Sequence, residues 1–169
     1  MALDQSVVAS LGLTEGDLLK GIIRDVQEVF CTMVGKDNLL HLPLMLDPIT
    51  HFEGCVTAMV GMAGTYNGVV SLHAPQKLAL DFASGMLGMD MTELDSDVHD
   101  ALGEIANMIA GSFKHYLSKG GTDVRLSTPS VIAGKDYSVS AGNPGDTLTL
   151  CFAADEQCFL VNAFLTGDR

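Results

Sequence analysis

The chain has 169 residues, of which 47% are hydrophobic and 18% charged. That composition excludes a disordered chain and is long enough for one domain, predicted to span residues 1–169, with its own core. Nine Lys and Arg against 21 Asp and Glu give a formal net charge of −12, a field that repels phosphate backbones and anionic lipid surfaces, so neither nucleic acid nor a membrane is an expected partner.

In chain order, the N-terminus has no basic segment ahead of an apolar core, so no secretion signal is read and a cytoplasmic location is expected. Thr14 to Val34 is predicted as the first helix. Thr14 can cap it, Glu15 and Asp17 suit its positive end, and Leu18, Leu19, Ile22, Val26, Val29, Phe30 and Met33 recur at helical spacing. Gly35 is a natural stop. Lys36 to Pro48 reads as irregular or extended, because Pro43 and Pro48 oppose a helix. The uncharged run from Gly54 to Gln76 is broken by Gly61, Gly64, Asn67, Gly68 and Pro75. It therefore predicts two strands, Phe52–Met62 and Thr65–His73, and not a membrane span.

Pro75 then opens a helix through Leu87, ended by Gly88. Asp95 to Lys119 carries the longest helical pattern, closed by Gly120-Gly121. Short β-like runs follow at Val124–Leu126, Ser130–Ala133, Tyr137–Ala141, Thr147–Ala153 and Cys158–Leu165. Asn143-Pro144-Gly145-Asp146 and Asp155-Glu156-Gln157 are turn signals. The expected class is α+β, an antiparallel sheet with helices on one face. A helix followed by strands occurs twice, so an internal duplication is conceivable, although the halves share too little sequence to establish it. Cys31, Cys55, Cys151 and Cys158 form no CxxC pair and have no His at metal spacing, so buried reduced thiols are expected.

The helix Asp97–Tyr116 is the informative segment. At roughly 100° per residue, Val98, Leu102, Ile105, Ile109, Phe113, Tyr116 and Leu117 share a core side, while Asp100, Glu104, Asn107, Gly111, His115 and Ser118 fall opposite, with Met108 at the margin. Asn107 is a weak helix former in mid-helix, and Gly111 one turn later costs roughly 1 kcal/mol against alanine. An amide beside a missing side chain makes a shallow notch that a partner's backbone could enter. Glu104 and Asn107 are neighbours three residues apart. Neither is a nucleophile, and a lone carboxylate makes a poor metal site.

Gly103-Glu-Ile-Ala-Asn-Met-Ile-Ala-Gly111 resembles the signature helix of the CheX branch of the CheC/CheX/FliY chemotaxis phosphatases, whose core is Glu-x-x-Asn. Asn67-Gly-Val-Val-Ser-Leu72, Ala83-Ser-Gly-Met-Leu-Gly88 and Thr128-Pro-Ser-Val-Ile-Ala-Gly-Lys-Asp136 are similar to family segments at the expected places. The resemblance covers roughly Thr14 to the C-terminus.

The resemblance implies a CheC/CheX-like fold and hydrolysis of the aspartyl phosphate of a CheY-like response regulator. Glu104 would pair with the receiver's lysine, and Asn107 would orient the attacking water. Gly103, Met108 and Gly111 would form the docking surface. Mg²⁺ would come with the receiver, so no cofactor or metal of this chain is expected. A homodimer through a sheet edge is implied as well. CheC-type members carry two such helices. Here Glu28 is followed by Cys31 where an Asn would be needed, so one site is expected. The second reading is a non-catalytic receiver-binding or flagellar-switch-like module of the same fold, as in the middle domain of FliM. A redox sensor built on Cys31 or Cys151 is the weakest.

Overall fold

The computed structural model describes residues 5–44, 46, 49–118, 121, 123–142 and 146–167. A short helix, α1 (Gln5–Ser10), precedes α2 (Glu15–Val29). Thr14 caps α2 by accepting the Asp17 N–H at 3.1 Å. The helix continues through one π turn, Phe30–Val34, and stops at Gly35, whose φ of 74° is left-handed. A three-residue strand β1 (Leu40–Leu42) leads to the long hairpin β2 (His51–Gly64) and β3 (Tyr66–Pro75). Helices α3 (Gln76–Leu87) and α4 (Ser96–Leu117) follow, then β4 (Val124–Leu126), β5 (Ser130–Ser138), β6 (Thr147–Ala154) and β7 (Gln157–Gly167).

The sheet runs β1-β6-β7-β3-β2-β4, with β5 continuing the β4 edge along β2. Every pairing is antiparallel. The order is symmetric about the β7/β3 seam: hairpin β2–β3 mirrors hairpin β6–β7, and each hairpin is closed at its edge by a strand of the other half. Each half thus supplies a hairpin and the strand that edges the other half's hairpin.

The two faces differ in chemistry. Val56, Ala58, Val60, Val70, Leu72, Ala74, Phe152, Phe159, Val161 and Ala163 are buried on the helix side. There α4 lies between α2 and α3 and packs on β2 and β3. The opposite face carries a buried polar group instead: Thr57, Ser71, His73, Thr147, Thr149 and Asn162. His73 is 3% exposed and stacks on Phe52 with ring centroids 4.1 Å apart. Its Nδ1 lies 2.8 Å from Thr57 Oγ1 and its Nε2 lies 2.8 Å from Ser71 Oγ. The Asn162 amide nitrogen lies 3.4 Å from Nε2.

Two elements escape the sequence reading. Helix α1 is only six residues long, too short for periodicity, and Val7 is its buried anchor. Strand β1 is three residues long and borrows its stability from β6. Other boundaries move. Pro75 ends β3 and caps α3 instead of entering it. The predicted runs Ser130–Ala133 and Tyr137–Ala141 form one strand that ends at Ser138. Lys119, Gly120 and residues 143–145 of the predicted turn, as well as Pro48, lie outside the described residues. The cysteine expectation needs correction. All four thiols are free, but Cys151 alone is buried, while Cys31 and Cys158 are exposed and Cys55 is half-buried.

Burial lowers the His73 pKa to about 4. Its ordinary value is about 6.5, so the folded state holds fewer protons between those values. The stabilisation is full above about pH 6.5 and is lost as pH falls toward 4. Its ceiling is about 3 kcal/mol. Denaturant midpoints measured from pH 7.5 down to 4.5 should fall for the parent, and less steeply for His73→Gln. Parallel curves would show that another group carries the acid sensitivity.

Candidate functional site

Helix α4 is set by its cap and its apolar stripe. Asp95 accepts the N–H groups of Asp97 and Val98 at 3.1 and 3.0 Å. The acidic loop before the helix therefore serves as its cap. Val98, Leu102, Ile105, Ile109, Phe113 and Leu117 are each no more than 2% exposed. At about 2 kcal/mol for each large apolar side chain buried, this stripe fixes the helix rotation. Gly21 of α2 lets the helices close up, since a Cβ there would run into the Tyr116 phenol. The Tyr116 hydroxyl also receives a hydrogen bond from Arg24 at 3.3 Å.

That rotation places the predicted site residues on the outside. Glu104 is exposed, and Asn107 and Gly111 are half-buried along the same stripe. Among the described residues, neither the Glu104 carboxylate nor the Asn107 amide has an internal hydrogen bond or ion pair. Met108 is half-buried and packs against the core cluster. Gly103 is not on the outer surface. It is buried, and a Cβ added there would lie 3.2 Å from Pro129 Cβ. Its lack of a side chain lets the β4–β5 connection approach the helix.

Glu104 stands at the rim of a groove of about 450 Å³ lined by His99, Asp100, Gly103, Pro129 and Val131. Pro129 and Val131, like His99 and Asp100, are residues that the sequence reading did not assign to the site. The signal for Pro129 and Val131 is the Thr128-Pro-Ser-Val-Ile segment itself, which lies far from the helix in sequence. The groove end of α4 bears Asp97, Asp100 and Glu104, and its other end bears Lys114 and His115. The site is thus a rigid helix face with a carboxylate, an amide and a missing side chain, beside a groove. It can bind a cation and position a water.

The corresponding stretch of α2 differs. Glu28 and Cys31 are both exposed beside a groove with Gln27 and Leu39. The Gln27 amide donates to the Leu39 carbonyl at 2.9 Å. Cys31 falls inside the π turn and not in regular α-helix. Among the described residues, no group of three or more His, Cys, Asp or Glu is placed to hold a metal. Among the same residues, no helix is long and apolar enough to cross a membrane.

A Cβ at Gly111 would meet nothing within 4 Å. Gly111→Ala should therefore stabilise the free chain by up to about 1 kcal/mol, whereas Gly21→Ala should destabilise it. Chemical denaturation of both variants checks the pair. Loss of stability at Gly111→Ala would mean that the gap is needed by the fold itself.

The sequence model of the family described as chemotaxis phosphatase CheX matches residues 56–158. The CheY-P phosphatase CheX of Thermotoga maritima is 26% identical over 125 residues, covering 73% of this chain and 80% of that protein. The crystal structure of a chemotaxis protein CheX from Desulfovibrio desulfuricans superposes with a TM-score of 0.74 at 28% identity, over 89% of this chain and 99% of the other. A CheX captured with CheY, BeF3 and Mg²⁺ from Borrelia burgdorferi shares the fold, with a TM-score of 0.61 at 18% identity over 88% and 97% of the two chains. The segment matched by the family model contains the whole of α4, with Glu104 and Asn107. The antiparallel sheet with helices on one face is the CheC/CheX-like fold expected from the sequence. This chain belongs to the CheX family of chemotaxis phosphatases.

Proposed function

We propose that this chain hydrolyses the aspartyl phosphate of a CheY-like receiver, with Glu104 docking on the receiver's lysine and Asn107 orienting the attacking water. The observation that carries the reading is the pairing of two polar side chains, unused inside the protein, on the outer face of a helix whose rotation the core fixes. The family match and the CheY complex of the Borrelia relative support the choice of partner.

The chemistry suits these groups. Phosphoryl transfer needs positioning and charge stabilisation more than covalent help. An amide holds a water through one donor and one acceptor and adds no charge beside the phosphate. A carboxylate at 107 would repel it. Glu104, one turn away, can take the lysine of the receiver without reaching the phosphate. The open space at Gly111 leaves room for the receiver's backbone. Mg²⁺ would arrive in the receiver, where it neutralises the phosphoryl oxygens.

Phosphate release from an acetyl-phosphate-labelled CheY-type receiver with Mg²⁺ tests this. The parent should accelerate release. Asn107→Ala should lose most of the acceleration, on the order of 10²-fold or more, while still binding. Glu104→Lys should bind weakly, because it sets a cation against the receiver lysine. Glu28→Ala and Cys31→Ala should leave turnover unchanged. Full activity in Asn107→Ala would overturn the mechanism, and binding without any acceleration by the parent would favour an adaptor.

The same reading includes a homodimer. The sheet has two outer edges among the described residues, the three-residue β1 and the nine-residue β5. The longer one offers more unpaired backbone and an exposed Ile132, 38% accessible. Sedimentation should find a dimer for the parent and a monomer for Ile132→Lys. A monomeric parent would remove the dimer, and a dimeric variant would remove β5 as its edge.

A further inference from the structure

The function proposed above uses none of the four thiols, yet two of them are neighbours. Cys151 lies opposite Leu160 in the β6–β7 hairpin, and Cys158 lies opposite Ala153. Both sulfurs therefore belong to the helix-free face, one pleat apart along the diagonal. The hairpin is closed by a two-residue turn, Asp155-Glu156, with Ala154 facing Gln157. Asp155 takes the left-handed φ of 54° there, which aspartate tolerates. The right-handed twist of a short hairpin draws together one of its two diagonals. That diagonal joins a residue of the first strand to the second-strand residue nearer the turn, and here it joins Cys151 to Cys158.

The two thiols have unequal access. Cys158 is exposed at the surface and Cys151 is only 5% exposed. Burial, with the Cys158 sulfur beside it, pushes the Cys151 thiol up to about 11, so Cys151 stays protonated at neutral pH. An open thiol next to a sheltered one is the arrangement in which the first is oxidised by a small reagent and the second resolves the product.

We infer that Cys151 and Cys158 form a dithiol that closes to an intrachain disulfide when a peroxide oxidises Cys158. In the first step the Cys158 sulfur, as thiolate, attacks one peroxide oxygen. The S–O bond forms, the O–O bond breaks, and the departing hydroxide takes up the thiol's proton as water. In the second step the Cys151 sulfur attacks the sulfenic sulfur of Cys158. The S–S bond forms, the S–O bond breaks, and hydroxide leaves with the Cys151 proton as a second water. Two thiols are oxidised by two electrons and one peroxide is reduced.

Diagonal Cα atoms in a sheet stand roughly 7–8 Å apart, just beyond the roughly 4.4–6.8 Å that a disulfide ordinarily spans. The bridge must tighten the hairpin to form, and bridges under such strain are the readily reduced ones. The modification is therefore reversible. It sits on the face of the sheet opposite α4 and leaves Glu104 and Asn107 unmodified, so its readout is independent of the phosphatase reading.

The experiment uses the full reduced chain with one equivalent of hydrogen peroxide, followed by blocking of remaining thiols. A protease that cuts after Asp and Glu separates Cys151 from Cys158 within the turn at Asp155-Glu156. The expected product is a linked pair of peptides lighter by two hydrogen atoms, which a dithiol reductant separates. Cys31→Ser should give the same pair. Cys158→Ser should abolish it and leave Cys151 fully blockable. Peroxide uptake at Cys31 or Cys55 with Cys151 and Cys158 still blockable would overturn the inference. So would over-oxidation of Cys158 with no linked pair.

Discussion

The burial of one stripe of α4 in the cleft between α2, α3 and the sheet is the constraint on which the rest depends. A helix carrying Val98, Leu102, Ile105, Ile109 and Phe113 on one side has a single rotation that removes them from water. Once that rotation is set, residues half a turn away face solvent whatever their chemistry. Glu104, Asn107 and Gly111 therefore need no loop or neighbouring side chain to hold them in place. The backbone geometry of a helix, anchored by core contacts along its length, gives the site its precision. This suits the proposed reaction, in which the partner would bring the metal and the phosphoryl group.

Helix α2 carries Glu28 and Cys31 where α4 carries Glu104 and Asn107. Helix α2 too has a groove along one side. Residues beside it make contacts within the fold. Gln27 holds the Leu39 carbonyl, and Lys36, at the end of the π turn, forms ion pairs of 2.7 Å with both Asp81 and Asp155. Those carboxylates raise the Lys36 pKa, chiefly through Asp155. These ion pairs tie the end of helix α2 to helix α3 and to the β6–β7 turn, whereas, among the described residues, Glu104 and Asn107 of α4 make no such internal contact.

Most of this is legible in the sequence where local physics decides it. The period of α2, α3 and α4 is readable because each buries one face, and the Glu104, Asn107 and Gly111 stripe follows from the period of α4 alone. Glycine at 35 and 88 marks helix ends, and both residues do adopt left-handed φ. What is not legible depends on distant partners. Strand β1 exists because β6 needs an edge. Pro129 and Val131 wall the groove because Gly103 admits them. The exposure of Cys158 depends on which face of the hairpin is left without helices. Alternation in β6 is masked as well, since six of its eight residues are buried in succession and both faces read alike. The polar centre of the open face, with His73 at its heart, has no sequence signature, because Thr57, Ser71, His73 and Asn162 come from three strands.

The exchange of edge strands also bears on how the chain reaches its native state. Strand β1 belongs to the first half and closes β6, while β5 belongs to the second half and closes β2. Neither half can complete its own sheet, so neither is expected to fold as an autonomous unit, and the pairings that finish the sheet join residues 71 to 113 positions apart. Contacts of that span are formed late and slowly. For the same reason a chain cut in the loop between Leu87 and Ser96 would hold together without a covalent link. Each fragment would carry the strand that seals the other, so the two halves would act as complementing subunits.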